Sequence, residues 1–373
     1  MGKYVCGKCG KVFKQKSHYE THLHKKKPCD DGSKLHDLID EIIEKKLEKK
    51  LEKKHVVPTT PLKVVSMFAG CGGMDYEFHK NTNFNIVYVN DFDKDSCDTY
   101  KKNFDFEPVC KDIKKIKTIP DCDVLMGGFP CQGFSIANKN RCEEDKRNSL
   151  YKELVRLLKL KQPKYFVFEN VKGILSLGGY ETPDDKKNNA GKVFKMIISD
   201  LNNCGYHVET KLFRMKWYSI PQNRERVIFI GIRNDIYPKI TFKWPKESKT
   251  ITHTLKDAIG DLPIEYDEEI QHIGTKHKVK ITGYMGNRVL DWDSVSPTIT
   301  GRGSGTGGPV INVHPSKERR MTVREYARIQ TFPDDFMFCG SVSSMYRQIG
   351  NAVPPKFSVI LAKIIRRIDK QLN

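Results

Sequence analysis

The chain has 373 residues, enough for a full α/β core with room for a smaller second region. Hydrophobic residues make up 38% and charged residues 30%, which reads as a globular chain, and no apolar run is long enough for a helical membrane span. Lys and Arg number 65 against 46 Asp and Glu, a formal charge of +19 that favours an anionic partner, nucleic acid first.

The N-terminus, "MGKYVCGKCG", lacks the apolar segment of a secretion signal. With 11 cysteines and no such signal, metal binding or catalysis in a reducing intracellular compartment is expected, not a disulfide framework. "YVCGKCGKVFKQKSHYETHLHKKKPC" then carries Cys6 and Cys9 in a CxxC pair, followed by His22. Phe13 and Tyr19 sit where a small ββα finger needs core residues, so zinc is expected on Cys6, Cys9 and His22. Cys29 is taken as the fourth ligand, because the helix can end before Pro28 and return the thiolate, with His24 and His18 as alternatives. A segment with so few apolar side chains could hardly fold without such a staple.

In "SKLHDLIDEIIEKKLEKKLEKKH", Leu35, Leu38, Ile42, Leu47 and Leu51 share approximately one helical face. Residues 34–54 read as a helical spacer in a monomer, with a short dimeric coiled coil as the alternative. "VVPTTP" closes the helix and marks a boundary.

"LKVVSMFAGCGGMDYEF" is an apolar strand, a glycine-rich turn and a helix start, where a ligand can approach the backbone at a helix N-terminus. "NIVYVNDFDKD" is a second strand ending in Asp91 and Phe92, suited to ribose hydroxyls and a stacked base. Nicotinamide and S-adenosylmethionine enzymes share that pair. "DCDVLMGGFP" (strand), "SLYKELVRLLKLKQP" (helix), "YFVFENV" (strand) and "ERVIFIGIR" (strand) continue the alternation. This predicts a doubly wound, mostly parallel sheet, with Cys131 just past the carboxyl end of its strand. From about Asn234 to Ser343 the rhythm weakens, and "SPTITGRGSGTGGPVINVHP" reads as loops and short strands. The final "RQIGNAVPPKFSVILAKIIRRIDKQL" reads as an amphipathic helix returning to the sheet.

"FAGCGG", "GGFPCQGFS", "FENV", "QNRERV", "TVREYARIQTFPDDF" and "RQIGNAVPP", in that order, resemble the DNA (cytosine-5) methyltransferases. The resemblance runs from Leu62 to the C-terminus; the finger and helix lie outside it. It implies an α/β fold of the S-adenosylmethionine-dependent methyltransferase type, with a smaller irregular target-recognition region. The expected division is 1–32 (zinc finger), 33–57 (helical linker or short coiled coil), 58–235 (catalytic), 236–343 (target recognition) and 344–373 (return to the catalytic domain).

The implied chemistry explains the residue types. Carbon 5 of cytosine is too electron-poor to take a methyl group directly, and a Cys131 thiolate adding at carbon 6 makes it nucleophilic. Glu169 fits the acid at ring nitrogen 3. Arg224 and Arg226, two apart on an extended segment, are expected to point the same way and orient Glu169 and the base. By the family pattern, Phe68, Gly70, Gly72 and Gly73 form the S-adenosylmethionine loop, with Asp91 on the ribose and Phe92 against adenine. Asp112 and Ile113 meet the adenine edge, Gly128 and Leu150 line the pocket, and Asn351 and Ala352 close it. Asp91 stands where the family usually has Glu, which shortens its reach by one methylene. Carbon 6 is inaccessible in a stacked duplex, so base flipping of double-stranded DNA is implied. Gln132, Arg147 and Arg302 are candidate DNA contacts. An RNA methyltransferase is the nearest rival, and a finger joined to a compact methyltransferase of bacterial style suggests a virus of a eukaryotic host, with nuclear or cytoplasmic placement.

Overall fold

The computed structural model describes residues 4–6, 12–13, 15–24, 60–130, 150–275, 287–301 and 311–372. They belong to two compact units, Met1–Thr60 and Pro61–Asn373.

In the first unit, β1 (Tyr4–Val5) pairs antiparallel with β2 (Val12–Phe13), Tyr4 opposite Phe13. Helix α1 (Lys16–Leu23) follows, and Tyr19 from it stacks on Tyr4 with centroids 5.9 Å apart. The ββα order matches the expectation for this stretch. No α1 residue is buried, while Cys6 is. Cys9, Cys29 and the 33–57 segment lie outside the described residues.

The second unit is built on a seven-stranded sheet. Its strands are β3 (Leu62–Met67), β4 (Phe84–Asp91), β5 (Val109–Cys110), β6 (Val124–Gly128), β7 (Tyr165–Val171), β8 (Tyr206–Arg214) and β10 (Glu225–Arg233). The spatial order is β5-β4-β3-β6-β7-β10-β8, with β10 antiparallel to both neighbours and the other pairs parallel. The chain winds outward from β3 through β4 to β5, then returns to start β6 on the other side of β3. That reversal opens a crevice at the carboxyl ends of β3 and β6.

Near-continuous apolar runs such as "VLM" and "YFVF" form the central strands because both faces of the sheet are covered. Successive residues feed opposite cores. Val64, Met126, Val167 and Ile228 pack with Phe78 of α2 (Tyr76–Lys80) and with Phe357, Leu361 and Ile365. Val65, Leu125, Phe166 and Phe168 pack with Leu154 and Leu158 of α4 (Leu150–Lys161) and Ile197 of α6 (Lys192–Asn202). Between these elements lie α3 (Lys94–Phe104) and α5 (Pro183–Lys187).

A third core joins Leu255 and Ile259 of α7 (Leu255–Ile259), Ile299, Val323 and Tyr326 of α8 (Val323–Ile329), Phe332, Phe336, and Tyr346 of α9 (Val342–Asn351). Cys71, from the turn after β3, belongs to it too. Short pairings complete the region: β9 (Gln222–Asn223) with β12 (Ser296–Pro297), and β11 (Asn287–Val289) with β13 (Ile311–Val313), both parallel. The C-terminal stretch expected as one helix is two, α9 and α10 (Pro355–Asp369), because "VPP" interrupts the backbone hydrogen bonding. Among the described residues no helix is long and apolar enough to cross a membrane.

Candidate active site

After β3, Phe68 and Gly70 both take left-handed backbone, with φ of +54° and +57°. For Phe68 this is a strained conformation, and at Gly70 a side chain would be strained even though the space beside it is open. The turn is braced from the next strand. Asp91 Oδ2 accepts from the Gly70 N–H (2.8 Å) and Oδ1 from the Asp93 N–H (2.9 Å). Burial pushes the Asp91 carboxyl upward, and these N–H donors oppose that shift. Each carboxylate oxygen keeps acceptor capacity for a further donor. Phe92, next along, is 73% exposed, an aromatic face open at the sheet edge.

The remaining expected cofactor positions gather at the same edge. Asn90 Nδ2 donates to the carbonyls of Val109 (2.7 Å) and Lys111 (2.8 Å), which fixes the segment leading to Asp112. Asp112 caps its own turn by accepting from the Lys114 N–H, and Ile113 is buried. Gly128 ends β6, and Leu150 opens α4 half-buried. Gly73 packs against Ala352 and the Val353 carbonyl, so the far end of the chain meets the turn here. Asn351, beside them, is exposed. The order is the expected one, strand, glycine-rich turn, helix: the glycines lie between β3 and α2, which starts at Tyr76.

Asp75, which the sequence reading did not single out, lies buried beneath this turn. Its oxygens accept from Ser66 Oγ (2.9 Å) and Tyr100 Oη (2.8 Å). Burial pushes its carboxyl from 3.8 up to about 6, against those two hydrogen bonds. Because the folded value is raised, stability is present below the unfolded value and is lost as pH rises through about 6. Asp75→Asn should therefore gain on the wild type across pH 4–7, by at most about 3 kcal/mol, in chemical denaturation at each pH.

The second cluster stands at the carboxyl end of β7. Glu169 and Arg226 are both buried, and Arg226 Nε lies 2.6 Å from Glu169 Oε1. Ile228 is directly opposite Glu169 in the β7–β10 ladder, so Arg226 is its diagonal neighbour on the same face. A methyl group at Gly128, paired with Glu169 across β6–β7, would stand 3.2 Å from Glu169 Oε2. The glycine leaves that side of the carboxylate open. Asn170, also missed in the sequence, donates from Nδ2 to the Phe129 carbonyl (3.3 Å), two residues before Cys131. An amide beside an acid at a strand end was the available signal.

Arg224 does not share the role expected of it. It precedes β10, is fully buried, and its guanidinium donates to the carbonyls of Ile299 (2.9 Å), Gly350 (3.1 Å) and Ala352 (2.7 Å). Period-two reasoning paired it with Arg226, but it stands outside the regular pleat. Cys131, Gln132, Arg147 and Arg302 lie outside the described residues. Of the expected zinc ligands, Cys6 and His22 are described, and among the described residues no three His, Cys, Asp or Glu gather as for a metal ion.

Cys71, inside "FAGCGG", shows what a merely packed thiol looks like. It is buried, directed at the Gln348 carbonyl, and burial pushes it up to about 12.

The sheet order and the antiparallel β10 give the α/β methyltransferase fold. The chain belongs to the C-5 cytosine-specific DNA methylase family, whose model matches residues 62–367. It is 36% identical to the type II methyltransferase M.NgoFVII of Neisseria gonorrhoeae, covering 81% of this chain and 86% of that one. It is also 36% identical to M.MthTI of Methanothermobacter thermautotrophicus, covering 82% and 97%. The Dnmt2 methyltransferase structure of S. pombe has a similar fold, with a TM-score of 0.60 at 19% identity over 83% of this chain and 99% of that one. The chain is thus a DNA cytosine methyltransferase using S-adenosylmethionine. The expectation of a viral source finds no support in these relatives.

Proposed function

We propose that the chain methylates carbon 5 of cytosine within one short double-stranded DNA sequence, extruding the base and attacking it with Cys131. The observation that carries this reading is the buried Glu169–Arg226 pair, with Asn170 tethering Phe129 just ahead of Cys131. S-adenosylmethionine fits the first cluster, on three features: the open space beside Gly70, the Asp91 carboxylate, and the exposed Phe92 ring. When bound there, it supplies an electrophilic methyl group; Asp91 takes the ribose hydroxyls and Phe92 the adenine.

The protein groups act on the base. The Cys131 sulfur bonds to carbon 6 while Glu169 shares its proton with ring nitrogen 3, so the electron pair reaches carbon 5. Arg226 holds Glu169 in register for that contact. After methyl transfer, the carbon 5 proton leaves to water, ring nitrogen 3 gives its proton back to Glu169 and the sulfur–carbon 6 bond breaks, restoring the thiolate and the aromatic ring. Gln132 and Arg147, in the catalytic span 58–235, and Arg302, in a recognition region at 236–343, remain our candidates for holding DNA. Relatives named as type II methyltransferases support a modification role directed at one sequence. The test is base-resolution mapping of 5-methylcytosine in DNA from cells expressing the protein, beside a Cys131→Ala control. Methylation at one short motif, absent in the control, is expected; methylation of RNA instead would overturn the reading.

The N-terminal unit is assigned zinc on Cys6, Cys9, His22 and Cys29. The ββα frame and the buried Cys6 support this, as does an α1 helix with no buried residue to stabilise it. One zinc per chain is expected by elemental analysis. Removing residues 1–57 should weaken DNA binding and flatten its salt dependence; an unchanged salt slope would remove the finger from DNA binding.

A further inference from the structure

Arg224 is a fully buried cation whose hydrogen bonds all go to backbone carbonyls, and its Nε finds no partner among the described residues. Such burial is costly, and it lowers the guanidinium pKa well below its ordinary value. The three acceptors come from two separate segments. Ile299 lies in the recognition region, on the stretch that begins at β12. Gly350 and Ala352 flank Asn351, beside the glycine turn. Two residues beyond Arg224, on β10, is Arg226 with its Glu169 partner.

These segments are fitted to each other without slack. A methyl group on Gly350 would overlap the Thr300 carbonyl, and one on Gly301 would overlap the Asn351 side chain. Further bonds tie the recognition stretch to the residues before Arg224. Gln222 Oε1 accepts from the Ile299 N–H (3.0 Å), and Thr298 Oγ1 donates to the Asn223 carbonyl (2.7 Å). A displacement of residues 296–301 therefore cannot leave Arg224, the Gly350–Ala352 segment or the start of β10 unmoved.

We propose that Arg224 is a positioning residue that couples DNA engagement by the recognition region to cofactor affinity and to the Glu169–Arg226 pair. The inference rests on the reading of the chain as a DNA methyltransferase. Linkage makes the coupling reciprocal: DNA raises cofactor affinity by the same factor as cofactor raises DNA affinity. Lysine at 224 keeps a cation but offers a single compact donor head in place of the planar fork that reaches three carbonyls.

The experiment measures S-adenosylhomocysteine binding to the full chain, without and with a duplex carrying the mapped target, alongside turnover on that duplex. For the wild type, DNA should raise affinity by about tenfold or more. Arg224→Lys should keep its DNA-free affinity within about threefold, lose most of the coupling and show a lower kcat at saturating substrates. Thr298→Val, which cuts one surface bond of the same bridge, should reduce the coupling in part and keeps the test open if the lysine variant does not fold. Wild-type turnover without coupling would overturn the inference alone, as would variants that lose only thermal stability and keep the coupling factor. Absence of wild-type turnover on any duplex would instead overturn the underlying reading.

Discussion

A duplex carrying 5-fluorocytosine at the target should trap the wild-type chain covalently, and Glu169→Gln should slow that trapping by about 10²–10⁴-fold. The fluorine blocks the final proton loss, so the trapped species reports addition at carbon 6 and methyl transfer together. Glutamine keeps the shape of Glu169 and can still hydrogen-bond ring nitrogen 3, but it carries no acidic proton to pass to it. Cys131→Ala should give no adduct at all, since the thiol that bonds to carbon 6 is gone. Cys71, the other cysteine in a site motif, is buried and its thiol is pushed up to about 12. Stability separates the acid's chemistry from its structural part. Glu169→Gln leaves the Arg226 charge buried beside a neutral amide, which should cost about 3 kcal/mol in denaturant unfolding. Adding Arg226→Met removes that stranded charge, so the double variant should recover stability while staying inactive. Additive losses would mean that the two side chains do not act as a pair.

How far the sequence reached depended on whether a residue's role was local. The strands β3, β4, β6, β7 and β10 were readable because a strand covered on both faces must be an unbroken apolar run. Strand β8, "YHVETKLFR", was not singled out. It closes the edge of the sheet beside β10 alone, so most of its residues are only half-buried and it reads as polar. The glycine turn, Asp91 and Glu169 were legible because their residue types are tied to chemistry at a strand end. Asp75 and Asn170 were not, since a buried polar residue announces itself only through the partners that fold beside it. Asp75 meets Tyr100 from another element, and Asn170 meets Phe129 across the β6–β7 boundary. Arg224 fell between the two cases: its motif was visible, but its three carbonyl partners lie far along the chain.

Gly73→Ala should weaken cofactor binding by about 10²-fold and lower stability by about 1–3 kcal/mol, the cost of overpacking a filled site. The reason is not the backbone angle, which at Gly73 is not left-handed, but the neighbour. An added methyl would overlap the Val353 carbonyl oxygen and press on Ala352 and the Phe332 ring. A flexible side chain could swing aside, but a carbonyl can retreat only with its backbone. Here that backbone is fixed on two sides, by Arg224 and Gln330 holding the Ala352 carbonyl and by α10 beginning at Pro355. The strain must then move the glycine turn, whose Gly70 N–H is bonded to Asp91. Isothermal titration with S-adenosylhomocysteine should show the loss, and Gly179→Ala supplies the comparison. Gly179 has an open space for its methyl and a left-handed backbone, so that variant should lose some stability and no cofactor affinity. Equal affinities for the two variants would mean that the turn and the C-terminal segment do not form one cofactor site.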